Sequence, residues 1–308
     1  MTDSREEEGS AGGCRTALVT GGTSGLGLAM AAALAGAGLS VAVAGRSRER
    51  AAVAAGSLPG ALGVEMDVRD ERSVADAVET AWSRLGGIDM LVNNAGIGMR
   101  TVNPRFTTEP RGFWTVSPQG FRDVIATNLT GYFLVAREVA PRMIAAGRGR
   151  IVNISMNHAT MTRAGFVPYG PSRAGTESLS RVMAADLRDT PVTVNMLLPG
   201  GVTRTGMVPP GAGGLPSMLE PEIMGPPIVW LASAAAAGVR DERIVAAEFE
   251  QWLENERPRL PVVAYWWSYS SWRRHHMPAS LRPSGARSSH GYMPHRASSP
   301  RAYVEYVW

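Results

Sequence analysis

The segment Thr20-Gly21-Gly22-Thr23-Ser24-Gly25-Leu26-Gly27 has the composition of a backbone cradle for phosphate. Glycine lets a chain turn tightly and approach a pyrophosphate, whose charge is met by free amides at the start of the following helix. Such a cradle needs a strand before it and a helix after it. The apolar run 16–20 and the helical pattern 26–37 supply both. Other chemistries have less to build on. Cys14 is the only cysteine, so neither an intramolecular disulfide nor a cysteine-based zinc site is available, and no metal site is expected. His158 has no obvious acid to pair with and reads as a lone polar loop residue.

The elements that position this loop extend along residues 16–250, where apolar runs alternate with longer stretches of helical period. That alternation is the mark of a parallel sheet covered by helices on both faces, a single doubly wound α/β domain. Strands are expected at 16–20, 40–44, 62–66, 90–92, 151–154, 192–197 and 244–246. Helices fit at 26–37, 73–85, 118–146, 169–187 and 220–233. The uncharged run 16–45 is long enough to suggest a membrane span, but its recurrent glycines fit a buried strand, turn and helix better.

Composition narrows the class further. The chain has 308 residues, 44% of them hydrophobic and 19% charged, the balance of an ordinary globular protein. Its net charge of +4 is uneven: 258–308 carries seven arginines against Glu305, which leaves residues 1–257 at net −2. The body is therefore not a basic nucleic-acid platform. Residues 1–14 are expected to form a flexible N-terminus without the features of a signal peptide, and a cytoplasmic location follows by default. Residues 15–257 form the globular domain, and 258–308 form a basic, aromatic-rich tail with no sustained helical or strand period. Disorder, or a composition that is not native, is the expectation for the tail; stacking on a nucleic acid strand is the alternative.

The order Thr-Gly-x-x-x-Gly-x-Gly, then Asp67-Val68, Asn93-Asn94-Ala95-Gly96, Asn128, Tyr169 and Pro199-Gly200, resembles the short-chain dehydrogenase/reductase family over about residues 15–250. The resemblance implies a Rossmann-type fold and a nicotinamide cofactor. Gly21, Thr23, Ser24, Gly25, Leu26 and Gly27 would hold its phosphates. Asp67 and Val68 would meet the adenine, while Asn94, Ala95 and Gly96 would line the cleft. Pro199, Gly200, Val202 and Thr203 would close over the nicotinamide, with Thr203 either meeting the carboxamide or capping the next helix. At the end of the second strand, where an acid would favour NAD, the chain has Gly45 followed by Arg46. A guanidinium can grip a 2′-phosphate bidentately, with Arg48 assisting, so NADP(H) is expected over NAD(H).

The resemblance also implies a reaction, hydride exchange with a secondary alcohol or ketone. In it a tyrosine acts as acid/base, a serine orients the carbonyl, a lysine supports the tyrosine and an asparagine supports a water relay. A phenol ordinarily titrates near 10 and needs nearby positive charge to exchange protons at neutral pH. Tyr169 and Asn128 match the tyrosine and the asparagine. Arg173, one helical turn beyond Tyr169, stands where the lysine is implied, in a chain that has no lysine at all. The serine's position, thirteen residues before Tyr169, is Met156, with Ser155 one residue earlier. Ser155 reaches the carbonyl only through a backbone shift in the loop; otherwise it bonds to the backbone at the strand end, and Asn157 and Thr160 are substitutes. Arg173 and Met156 lead to an expectation of reduced activity, and the alternative is a catalytically impaired nucleotide-binding or sensing protein of the same fold.

Two loops bear on the substrate, a small alcohol or carbonyl compound. Residues 204–227 suit a mobile lid. The insertion 99–118 carries Phe106, Phe113 and Trp114, which form an apolar wall over the site or pack on their own loop. The resemblance further implies a homodimer or homotetramer, with no membrane and no nucleic-acid partner for the body.

Overall fold

A computed structural model of the chain describes residues 12–208 and 218–256. Its elements run β1 (Thr16–Thr20), α1 (Gly25–Gly36), β2 (Ser40–Gly45), α2 (Arg48–Gly56), β3 (Leu62–Glu65), α3 (Glu71–Leu85), β4 (Met90–Asn93), α4 (Pro118–Ile125), α5 (Gly131–Ala145), β5 (Gly149–Ile154), α6 (His158–Met161), α7 (Tyr169–Asp186), β6 (Val192–Leu198), α8 (Gly225–Ala232), β7 (Arg243–Val245) and α9 (Phe249–Glu256). The seven strands make one sheet in the order β3-β2-β1-β4-β5-β6-β7, and every neighbouring pair is parallel. This is the doubly wound Rossmann-type architecture. The strand order reverses between β1 and β4, and the crevice at their carboxyl ends is where such sheets bind ligands.

Alternation along the strands divides the core between two faces. Ala17, Val19, Val41 and Val43 pack toward α1, α8 and α9, whereas Leu18, Ala42 and Ala44 pack toward α3 and α5. Helix starts follow side-chain chemistry: Ser47, Asp70 and Ser117 accept from backbone amides at the first turns of α2, α3 and α4. Helix α3 ends on Gly86 at φ 72, left-handed backbone that favours glycine.

The expected strands all form, with shifts at their ends. Three helices, α2, the short α6 and α9, are additional to the expected set. The buried face of α2 consists of Ala51, Ala54 and Ala55, too little apolar volume to stand out as a period. The long helical stretch 118–146 is two helices joined by a π-helical turn, Ala126–Thr130, which places Asn128 in the cleft. Gly12 and Cys14, within the segment expected to be flexible, are tied to the body. Arg150 donates to the Gly12 carbonyl at 2.6 Å, and the Cys14 amide donates to Ala232 O at 2.8 Å. Burial pushes the Cys14 thiol up to about 11, so it is an inert packing group rather than a nucleophile. Residues 1–11 and the tail 258–308 lie outside the described residues. Among the described residues no helix is long and apolar enough to cross a membrane.

Candidate active site

The glycine loop leaves β1 and enters α1 with Gly21 at φ 61 and Gly25 at φ 54. A Cβ on Gly21 would stand 2.8 Å from Ala95 Cα, and one on Gly27 would overlap the Gly21 carbonyl and the Asn94 side chain. Only glycine allows this approach. Thr20 Oγ1 accepts from the amides of Asn94 (2.9 Å) and Ala95 (3.1 Å), while Asn94 Nδ2 donates to the carbonyls of Thr20 (3.0 Å) and Gly21 (3.1 Å). The loop and the turn after β4 are thus one stitched unit. Ser24 is the N-cap of α1, yet its side chain makes no capping bond, which leaves the helix start to an external anion. Thr23 covers Gly45, where a Cβ would stand 2.6 Å from the Thr23 methyl.

Beyond Gly45 the cations divide. Arg46 is exposed and makes no hydrogen bond or ion pair among the described residues, whereas Arg48 pairs with Glu65 at 3.2 Å. Asp67 is gripped by Arg69 at 2.6 Å, which holds its carboxyl below the usual range. Val68 packs under Gly131 and belongs to the core.

On the other side of the crevice, Asn128 is fully buried. Its amide donates to Ile97 O (3.0 Å) and Ser172 Oγ (3.1 Å) and accepts from the Ile97 amide (2.9 Å), so it pins the chain just past Gly96. Tyr169 opens α7, and its hydroxyl meets the sulfur of Met207 at 3.9 Å and also interacts with the Arg173 guanidinium. Arg173, one turn on and 3% exposed, points inward. Its Nη1 donates to Tyr132 Oη (2.8 Å) and to Ile154 O (3.0 Å), and its guanidinium carbon lies 5.5 Å from the ring centres of both Tyr132 and Tyr169. Its Nη2 edge faces Gly96, where a Cβ would stand 2.5 Å away. Burial opposes the charge, but the phenol groups of Tyr132 and Tyr169 outweigh it and raise the proton affinity of Arg173 above that of an ordinary arginine.

Ser155 does not reach Tyr169. Its hydroxyl donates to Glu177 Oε1 at 2.5 Å instead. Glu177 also takes His158 Nε2 at 2.8 Å and Arg243 Nε at 2.8 Å, and Arg243 Nη2 holds the Met156 carbonyl at 2.8 Å. Of the suggested substitutes, Asn157 donates to Gly200 O at 3.0 Å, and the Thr160 amide bonds back to Asn157.

A family model described as short chain dehydrogenase matches residues 15–211. The chain belongs to the short-chain dehydrogenase family. Nodulation protein G of Azospirillum brasilense is 37% identical over 191 residues, 60% of this chain and 74% of that protein. The 3-oxoacyl-(acyl-carrier-protein) reductase of Aquifex aeolicus is also 37% identical over 191 residues, with 60% and 73% covered. Among solved structures, a 3-ketoacyl-(acyl-carrier-protein) reductase from Brucella melitensis complexed with NADH superposes with TM-score 0.65 at 26% identity, covering 75% of this chain and 96% of that one. A short-chain type dehydrogenase/reductase from Mycobacterium marinum gives TM-score 0.68 at 29% identity, covering 78% and 96%.

Within the short-chain dehydrogenase frame, several expected residues have different local roles. His158, read as unpaired, pairs with Glu177, nineteen residues away in sequence and brought close by α7. Thr203 is 7% exposed and its hydroxyl donates to Gly201 O at 3.2 Å. Gly200 sits at φ 96, where a Cβ would stand 2.7 Å from Val245 Cγ1, and this holds the Pro199-Gly200 turn against β7. Of the loop 204–227, expected to act as a lid, residues 209–217 lie outside the described residues, and the part next to the glycine loop is held by contacts across the cleft. Thr205 packs on Gly25, Met207 covers Tyr169 and Gly98, and Arg100 donates to Gly206 O at 2.7 Å. Phe113 and Trp114 pack on each other, 5.3 Å between ring centres, and Trp114 folds back on Gly112. Phe106 instead meets Phe166 from the loop after β5 at 5.7 Å. Sequence reasoning missed Glu177 and Tyr132. A signal for Glu177 existed, since Tyr169, Arg173 and Glu177 recur at every fourth residue on one helix face.

Proposed function

We propose that this member of the oxidoreductase family exchanges hydride between NADP(H) and a secondary alcohol or ketone, with Tyr169 giving or taking the proton. The observation that carries the reading is the Tyr169 hydroxyl, which has the Arg173 cation beside it and donates only to a thioether, a weak acceptor, among the described residues. It is free to bond to a substrate oxygen. The residues present fit a dinucleotide: the cradle at Gly21 and Gly27 would be filled by any Cβ, and the start of α1 is uncapped.

When bound, the cofactor supplies a hydride donor or acceptor at its nicotinamide ring. The chain's own residues do the rest. Amides of the glycine loop and the α1 N-terminus meet the phosphates, and Arg46, unpaired beside a strand end that lacks an acid, selects the 2′-phosphate. Asn128 fixes the floor of the cleft by holding Ile97, and Tyr169 holds the proton exchanged with the substrate oxygen beside the fixed charge of Arg173. Asn94, Ala95 and Gly96 line that floor. Pro199, Gly200 and Val202 place the segment that covers it.

A second reading, a nucleotide-binding protein with impaired catalysis, draws on one specific observation. Ser155 is committed to Glu177, and Met156 occupies the serine's implied position, so neither gives Tyr169 a second hydroxyl. NADPH oxidation over a broad panel of ketones, run beside a fluorescence titration of NADPH, separates the two. Turnover of any ketone supports the enzyme, and tight binding without turnover supports the second reading. We extend the proposal to a homodimer or homotetramer in the cytoplasm, built from 15–257. The exposed apolar side chains of Phe133 and Ile144 on α5 and Val182 on α7 are in keeping with such an assembly.

A further inference from the structure

Arg173 is a cation buried to 3% exposure with no carboxylate beside it among the described residues. Taking a guanidinium out of water is costly unless its donors and its charge are compensated. What compensates it here is the phenol oxygens of Tyr132 and Tyr169, one backbone carbonyl and two aromatic rings at 5.5 Å, while its Nε has no hydrogen-bond partner among the described residues. Tyr132 supplies both the oxygen and one of the rings, and its side chain is itself 1% exposed. The Tyr132 hydroxyl in turn lies 3.4 Å from Ile154 O, the carbonyl that Arg173 also uses, so the three groups close a small triangle under the site. The other face of the guanidinium meets the ring of Tyr169.

We propose that Tyr132 is a positioning residue for the reaction: it anchors the inner edge of Arg173 and so fixes the cation against Tyr169, making Tyr132 and Arg173 a matched pair in which neither is exchangeable alone. The proposal rests on the reading of Tyr169 as the proton-exchanging group. It reverses the expectation, drawn from side-chain types, that arginine is a handicap here. A lysine head is a compact point charge. It cannot bridge Tyr132 Oη and Ile154 O and at the same time lie flat between two rings. Replacing Arg173 alone therefore leaves a buried phenol with only a long bond to Ile154, and replacing Tyr132 alone leaves a buried guanidinium half satisfied.

The test is a cycle of four proteins: the parent, Tyr132→Phe, Arg173→Lys and the double variant. Each is measured for thermal unfolding and for kcat and KM with NADPH and a ketone that the parent reduces, well below the lowest Tm. Each single variant should lower kcat by about tenfold while KM for NADPH stays within about twofold. The double variant should regain most of that loss, and its Tm should exceed the additive expectation by more than about 2 °C. Tyr132→Phe then harms the arginine protein and helps the protein carrying Arg173→Lys, a reversal of sign that a merely structural role would not give. Additive effects, or turnover of Arg173→Lys at or above the parent, overturn the pairing. If Tyr132→Phe yields no folded protein, Arg173→Lys alone decides by the same criterion. A parent that reduces no ketone overturns the functional reading instead, and that outcome is distinct from additivity in an active parent.

Discussion

The two walls of the crevice are held in different ways. On the nucleotide side each contact joins one side chain to backbone, Thr20 Oγ1 to the amides of Asn94 and Ala95 and Asn94 Nδ2 to the carbonyls of Thr20 and Gly21, and the decisive feature is the absence of a Cβ at Gly21 and Gly27. On the proton side, side chains also meet one another. Arg173 is set by Tyr132, Ser155 by Glu177 and Asn128 partly by Ser172. A backbone cradle tolerates drift in its surroundings as long as its glycines stay. A side-chain network can be rebuilt with other members, and here it contains Met156 and Arg173 where the family resemblance implied serine and lysine.

That contrast predicts where mutation separates binding from chemistry. The largest effect is expected at Tyr169→Phe, which removes a hydroxyl and little volume. Loss of a general acid costs on the order of 10²–10⁴ in kcat, with NADPH affinity unchanged because the hydroxyl bonds to nothing on the nucleotide wall. Full activity in this variant would remove Tyr169 from the mechanism. Next in size is Arg46→Ala on the opposite wall. Loss of a charge-assisted phosphate contact typically costs about 1.5–3 kcal/mol, so the preference for NADPH over NADH should fall by roughly ten- to a hundredfold with kcat preserved. Equal affinity for the two cofactors in the parent would refute the assignment of Arg46. If either variant moved both binding and kcat strongly, the two walls would not be separable.

The same contrast explains which features are legible in the amino-acid sequence alone. The glycine loop, the sheet and Asn128 can be read there because they depend on local spacing: a strand, a tight turn and a helix in succession, and buried apolar runs of fixed length. The relation of Ser155 to its neighbours depends on partners distant in sequence. The run past β5 gives the order of Ser155 and Met156, but it does not say that Glu177 from α7 takes the serine hydroxyl or that Arg243 from β7 takes the Met156 carbonyl. Tyr132 is hidden for a similar reason. It lies one turn beyond Asn128 across a π-helical turn, where a regular helical count misplaces the face by one residue.

The smallest expected effect is on stability rather than rate, and it tests whether the Glu177 network is the anchor of the proton wall. Glu177 accepts from Ser155, His158 and Arg243, and its side chain is 11% exposed. Burial pushes its carboxyl up, but the three donors and the charge of Arg243 outweigh that and hold it below the ordinary value of 4.5. A carboxylate held lower in the folded than in the unfolded chain adds stability that is fully present above the unfolded value and is lost as pH falls through the folded one. Glu177→Gln keeps an acceptor for Ser155 and Arg243 but removes the charge. At pH 7 the variant should therefore be less stable by about 1–3 kcal/mol, the usual worth of hydrogen bonds to a charged group, seen as a Tm several degrees lower. Below 4.5 the parent loses the same contribution, so the two Tm curves should converge in acid. A gap that stays constant from neutral pH down to 3 would mean that the glutamine disrupts packing instead, and that Ser155 and Met156 are placed by the strand end alone.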